Sequence, residues 1–166
     1  MNFSIRKFPC AVILTMLCIL CGCEDNNRRE KVSDDATAFQ NLVTVDIPYS
    51  AVRWEVFGTP EYTGGIPGPT DYVTLVAQIV PTKKQSDLRV GSETVWLAPE
   101  SARPWPDPDF SSFVRKNLQN SEVDLAKHAN CRPLSATLTK TSKPVRGFAC
   151  SGKAKTLIYL RIADHT

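Results

Sequence analysis

YVTLVAQIV, residues 72–80, carries no charge, no Gly and no Pro, and both of its alternating faces are largely apolar. Val73, Leu75, Ala77 and Ile79 lie on one face, and Tyr72, Val76 and Val80 on the other. A β-branched run of this length, apolar on both sides, reads as a strand in the interior of a sheet that is covered on both faces. Working outward, Val52, Trp54 and Val56 alternate with Arg53 and Glu55, and Val43, Val45 and Ile47 share a face in the segment before them. Both segments read as half-buried strands.

The same period continues downstream. Glu93 to Leu97 is a short strand candidate, Leu134, Ala136 and Leu138 alternate with hydroxyl residues, and Val145–Cys150 and Thr156–Ile162 follow. Between these groups the period changes. Asp107 and Pro108 suit a helix cap and first turn, Asp109 suits the start of that helix, and Phe110, Phe113, Val114 and Leu118 recur at helical spacing. The expected fold is α+β: a mostly antiparallel β-sheet with one packed helix at about 108–118, in a single domain spanning 39–166.

Composition narrows the function classes. The 166 residues carry 20 Lys and Arg against 17 Asp and Glu, a net charge of +3, so no global field favours nucleic acid. No nucleic-acid partner is expected.

The amino terminus reads MNFSIRKFPCAVILTMLCILCGC, with Arg6 and Lys7 ahead of an apolar run from Phe8 to Cys21. A helix of that run would cover roughly 21 Å, short of the ~30 Å a spanning helix needs, so it reads as the core of a signal peptide. Its end, Leu20-Cys21-Gly22-Cys23, resembles the lipobox of bacterial lipoproteins. That resemblance covers residues 1–23 only. It implies cleavage before Cys23, lipid attachment at Cys23, and a membrane partner held through acyl chains. Two or more such chains suffice for stable anchoring, at about 0.8 kcal/mol per buried methylene. Glu24 follows the acceptor, which by the same resemblance favours the periplasmic leaflet of the outer membrane. Residues 1–22 are therefore expected to be the signal peptide, and 23–38 a lipidated cysteine followed by a charged tether.

Cys131 and Cys150 are the only cysteines outside the export segment. In an oxidising compartment they are expected to pair. A turn at Lys140–Lys143 would place Pro133 opposite Cys150, with Cys131 two residues away. The disulfide leaves no cysteine for a metal, and His128 and His165 are the only histidines. No metal site and no cofactor is expected. No GxSxG elbow supports a serine nucleophile.

Two loops stand out. Residues 58–71 hold four Gly and three Pro, with Tyr62 and Ile66 as candidate anchors. They lack the Lys-Ser/Thr of a phosphate-binding loop. Residues 99–109 set Arg103 and Trp105 among prolines, and Arg and Trp are enriched at binding hot spots. Each loop also reads, and more readily, as a packed structural element in which Trp105 covers the core beside Phe110 and Tyr62 does the same. The leading expectation is a non-enzymatic, lipid-anchored periplasmic binding module, for instance an immunity or inhibitor protein facing a toxin, or an accessory subunit of an envelope complex. The alternatives are an envelope hydrolase using Glu61 and Asp71, and a structural envelope lipoprotein.

Overall fold

The computed structural model describes residues 32–61, 69–83 and 93–164. In chain order these form α1 (Ala36–Leu42), β1 (Val43–Val45), β2 (Tyr49–Thr59), β3 (Tyr72–Pro81), β4 (Thr94–Trp96), α2 (Pro108–Leu118), β5 (Glu122–Asp124), β6 (Cys131–Leu138), β7 (Pro144–Ser151) and β8 (Thr156–Asp164). Single 3-10 turns lie at Pro99–Ser101 and Leu125–Lys127. The fold is α+β, dominated by an antiparallel sheet with order β1-β6-β7-β8-β3-β2 and a separate β4-β5 ribbon.

That order forces curvature. β1 and β2 are neighbours in the chain yet occupy opposite edges of the six-stranded sheet. Laid flat, six strands would separate those edges by about 24 Å. The link from Val45 to Tyr49 reaches no more than about 14 Å, so the sheet must curl until its edges approach. Phe39 of α1 sits at the seam, fully buried, with its ring 5.8 Å from Tyr49 and 5.9 Å from Trp54.

Strand alternation divides the core into two layers. Inside the curl lie Phe39, Val52, Leu75, Ala77, Ile79, Leu134, Ala136, Val145, Ile158 and Leu160. The outer layer takes the opposite parity: Phe57, Val76, Phe148, Cys150, Leu157 and Tyr159, covered by Phe110 and Val114 of α2 and by Leu97, Val123 and Leu125. The two apolar faces of β3 thus serve two layers. Helix α2 spans the range its periodicity indicates, with Arg115 and Lys116 in its last turn.

Three local expectations are corrected. The tether does not extend to residue 38, because Ser33 bridges Trp54 through two backbone hydrogen bonds of 2.7 Å and α1 follows. The Asp35 carboxylate caps α1 by accepting from the Ala38 amide at 2.9 Å, and Phe39 anchors the helix. Second, the β6–β7 register lies two residues from the one expected: Cys131 stands directly opposite Cys150, because the chain reverses one residue earlier, with the Leu138 amide donating to the Lys143 carbonyl at 2.9 Å. The disulfide between them is formed. Third, Asp107 begins α2 without a side-chain capping bond. Its Oδ1 accepts instead from Lys155 Nζ at 3.0 Å and from Gln78 Nε2 at 3.3 Å, and Gln78 Oε1 accepts from the Asp107 amide at 2.8 Å.

Candidate functional site: the loop-bearing end of the sheet

The chain leaves β2 and enters β3 at one end of the sheet, and the 58–71 loop joins them there. Its base is closed by the Asp71 amide donating to the Thr59 carbonyl at 2.8 Å. Thr59 Oγ1 donates to Glu100 Oε2 at 2.9 Å, tying the base to the 3-10 turn at Pro99–Ser101.

Arg103 joins the same pieces more firmly. Its Nη1 donates to Glu61 Oε2 at 2.8 Å and its Nη2 to Glu61 Oε1 at 3.2 Å. Nη2 also lies 2.9 Å from Glu55 Oε1. The guanidinium carbon is 4.0 Å from the centre of the Phe57 ring. Glu55 is buried, so its charge requires partners, and it takes a second from Trp105, whose Nε1 donates to Glu55 Oε2 at 2.8 Å. The Arg53 guanidinium lies over the Trp105 ring, 5.8 Å from its centre. Alternation on β2 explains the cluster: Arg53, Glu55 and Phe57 share the face that residues 97–107 cover.

The turn itself is held from below. The Tyr159 hydroxyl accepts from the Ala98 amide at 2.8 Å and from Ser101 Oγ at 3.1 Å. Ser111 Oγ donates to the carbonyls of Pro106 and Arg103 at 3.2 and 3.3 Å. A proline-rich segment with only a single 3-10 turn of its own is thereby fixed.

Arg103 and Trp105, expected as binding residues, are therefore committed to intramolecular partners, with Trp105 packed against the outer layer. Tyr62 and Ile66 lie outside the described residues. Glu61 has both carboxylate oxygens occupied by Arg103, while Asp71 is exposed. Cys23 and His165 also lie outside the described residues, and His128 meets the edge of Phe113 at 4.9 Å. Among the described residues no group of three or more His, Cys, Asp or Glu is placed to hold a metal, and no helix is long and apolar enough to cross a membrane.

Sequence reasoning missed Glu55 and Phe57, because a charge alternating with Trp54 on a strand reads as solvent-facing. It also missed Tyr72, Trp96 and Arg161 beside the loop base. Tyr72 and Trp96 lie 4.8 Å apart, and the Arg161 guanidinium lies 5.4 and 6.0 Å from their ring centres. These residues come from strands remote in sequence, and no spacing rule links them.

No protein-family description, curated protein or solved structure matches this chain. The functional reading therefore rests on the residues and their arrangement.

Proposed function

We propose that the chain is a lipid-anchored binding module of the bacterial cell envelope, held at the periplasmic face of the outer membrane through acyl chains on Cys23, that engages a protein partner with the 58–71 loop. The anchoring part follows from the resemblance of residues 20–23 to a lipobox. The binding part is carried by one observation: Arg103 joins Glu55, Glu61 and Phe57, so the base of the loop is fixed to the folded body. A loop rich in proline on a fixed base loses less conformational freedom when it meets a partner, and that lowers the ordering cost of association. Tyr62 and Ile66 supply the aromatic and aliphatic anchors. A toxin that the module neutralises, or a subunit of an envelope complex, is the class of partner such a loop fits.

Two measurements test the reading. Mass spectrometry of natively produced protein should find acyl groups on Cys23 and no residues before it, and Cys23→Ala should release the protein from membranes. A photo-crosslinking residue at position 66 should yield a discrete adduct in intact envelopes that the same residue at position 116 on α2 does not. An unmodified thiol at Cys23 refutes the anchor, and equal crosslinking from the two positions refutes the loop as the contact surface.

A further inference from the structure

The strand registers gather several segments at one end of the sheet. β2 finishes at Thr59 opposite Tyr72, so the 58–71 loop lies there. The strands between β2 and β6 are antiparallel throughout, so β6 finishes at the same end and the β6–β7 turn joins the loop. Leu138 of β6 stands opposite Val43, the residue that follows α1, so the helix ends there as well. The β7–β8 turn, with Lys153, lies at the opposite end.

The helix and the β6–β7 turn are joined. The Thr139 amide donates to the Leu42 carbonyl at 3.1 Å, and Thr139 Oγ1 donates to the Gln40 carbonyl at 2.7 Å. Beside this junction lies a cleft of about 450 Å³ lined by Ala38, Asn41, Leu42, Leu138, Lys140 and Thr141. Ala38, Leu42 and Leu138 are half-buried and give the cleft its apolar surface, and no carboxylate lines it. Lys140 and Lys143 are exposed on the turn, and neither has a carboxylate partner among the described residues. Asp34 and Asp35 precede the first turn of α1, at the far end of that helix.

We propose that this end of the sheet docks on a bilayer, with the cleft receiving apolar segments of lipid and Lys140 and Lys143 meeting anionic headgroups. Buried apolar area and attraction of lysines to anionic lipid add together in interfacial binding. The direction of the chain favours the same end. Ser33 pairs with Trp54 in the antiparallel sense, so the described chain enters from the end at which β2 finishes. Cys23 is ten positions before Ser33, a reach of no more than about 34 Å. The proposal rests on the anchored-module reading for the nearness of a bilayer, and it narrows the partner: the 58–71 loop shares this end, so what it meets lies in the membrane or at its surface.

The test uses natively produced protein carrying a bimane fluorophore at Thr141→Cys, or at Lys153→Cys on the opposite end. Vesicles of phosphatidylcholine, phosphatidylglycerol and a nitroxide-bearing lipid are added from solution. Quenching at position 141 and little at 153 is expected. Lys140→Gln with Lys143→Gln should weaken contact of the 141 label about 25-fold, since each lysine near an anionic surface contributes about fivefold. Lys153→Gln should leave it unchanged. Equal quenching at the two positions overturns the proposal, as does quenching at neither. A signal at 141 that ignores both phosphatidylglycerol and the two lysines also overturns it. Mass spectrometry reads Cys23 separately, and the unsubstituted chain labelled in parallel gives the background from a bare thiol. A bare Cys23 would therefore refute the anchor while the two labels still decide the docking.

Discussion

The Arg103 guanidinium carbon lies 4.0 Å from the centre of the Phe57 ring while its nitrogens hold Glu55 and Glu61. The ring shields one face of a cation whose two terminal nitrogens are occupied by carboxylates, while its buried Nε has no hydrogen-bond partner among the described residues. Removing Arg103 would leave Glu55 buried and short of a partner. Arg103→Met is expected to destabilise the domain by about 3–5 kcal/mol, the scale for breaking one side of a buried pair. Adding Glu55→Gln should recover part of that loss because the orphaned charge disappears. Urea unfolding of the single and double variants checks both, and a loss within 1 kcal/mol for Arg103→Met would mean, on the same scale, that the pair is solvent-screened.

Gly147 lies opposite Leu160 on the neighbouring strand. A Cβ there would overlap the Tyr159 carbonyl oxygen and come within 2.9 Å of Leu160 Cα. The obstacles are backbone atoms of β8, which no rotamer change can move aside. Gly147→Ala is therefore expected to cost at least about 3 kcal/mol, at the upper end of overpacking effects. Chemical denaturation measures this, and amide chemical shifts should report disturbance along β7 and β8 first.

Cys131 and Cys150 are both buried and close a loop with a sequence separation of 19. On the chain-entropy account such a crosslink contributes about 3 kcal/mol. The double variant Cys131→Ala, Cys150→Ala should melt roughly 10 °C lower, since each kcal/mol moves a domain of this size by a few degrees. Calorimetry with and without reductant checks it: the variant should be indifferent to reductant, and the parent should lose stability only as its sulfurs become accessible.

Asp124 is held below its ordinary carboxylate value, first by the hydrogen bond from the Lys127 side chain, with the Ala126 amide and the Lys127 charge acting in the same direction. Because the folded value is the depressed one, the stabilisation is present above the ordinary carboxylate pKa and is lost as pH falls through the folded value. The pair is at the surface, so the stability effect should be small. Carbon-detected NMR titration should find the Asp124 midpoint rising toward the ordinary value in Lys127→Met, and an unchanged midpoint would contradict the pairing.

Much of the sheet was legible because strand alternation leaves a direct mark on sequence. The two-faced apolar run at 72–80 and the helical spacing of Phe110, Phe113, Val114 and Leu118 each reflect a surface that must be covered. Helix α1 was hidden by the charges around it, although Asp35 as a cap and Ala36, Phe39 and Leu42 along one side are its signature in retrospect. Asp107 misled in the opposite way. Its place before a proline suited a capping role, but Gln78 and Lys155, brought from β3 and the β7–β8 turn, compete for the same carboxylate. The loop-bearing end was least legible. Arg103 and Trp105 carry the residue types of a recognition surface, and the same chemistry, aromatic area with directed donors, serves equally to bury Glu55. Only the partners distinguish the two uses, and these come from residues about 40 to 50 positions away.

The curl of the sheet has a consequence for how copies of this protein coexist. An open ladder of amides invites a neighbour to extend it, and repetition of that step gives fibrils. Here one border is only the three residues of β1, and the other is blocked at its midpoint where Ser33 occupies both backbone positions of Trp54. Among the described residues, neither border of the six-stranded sheet offers a long uninterrupted template for a second copy to extend.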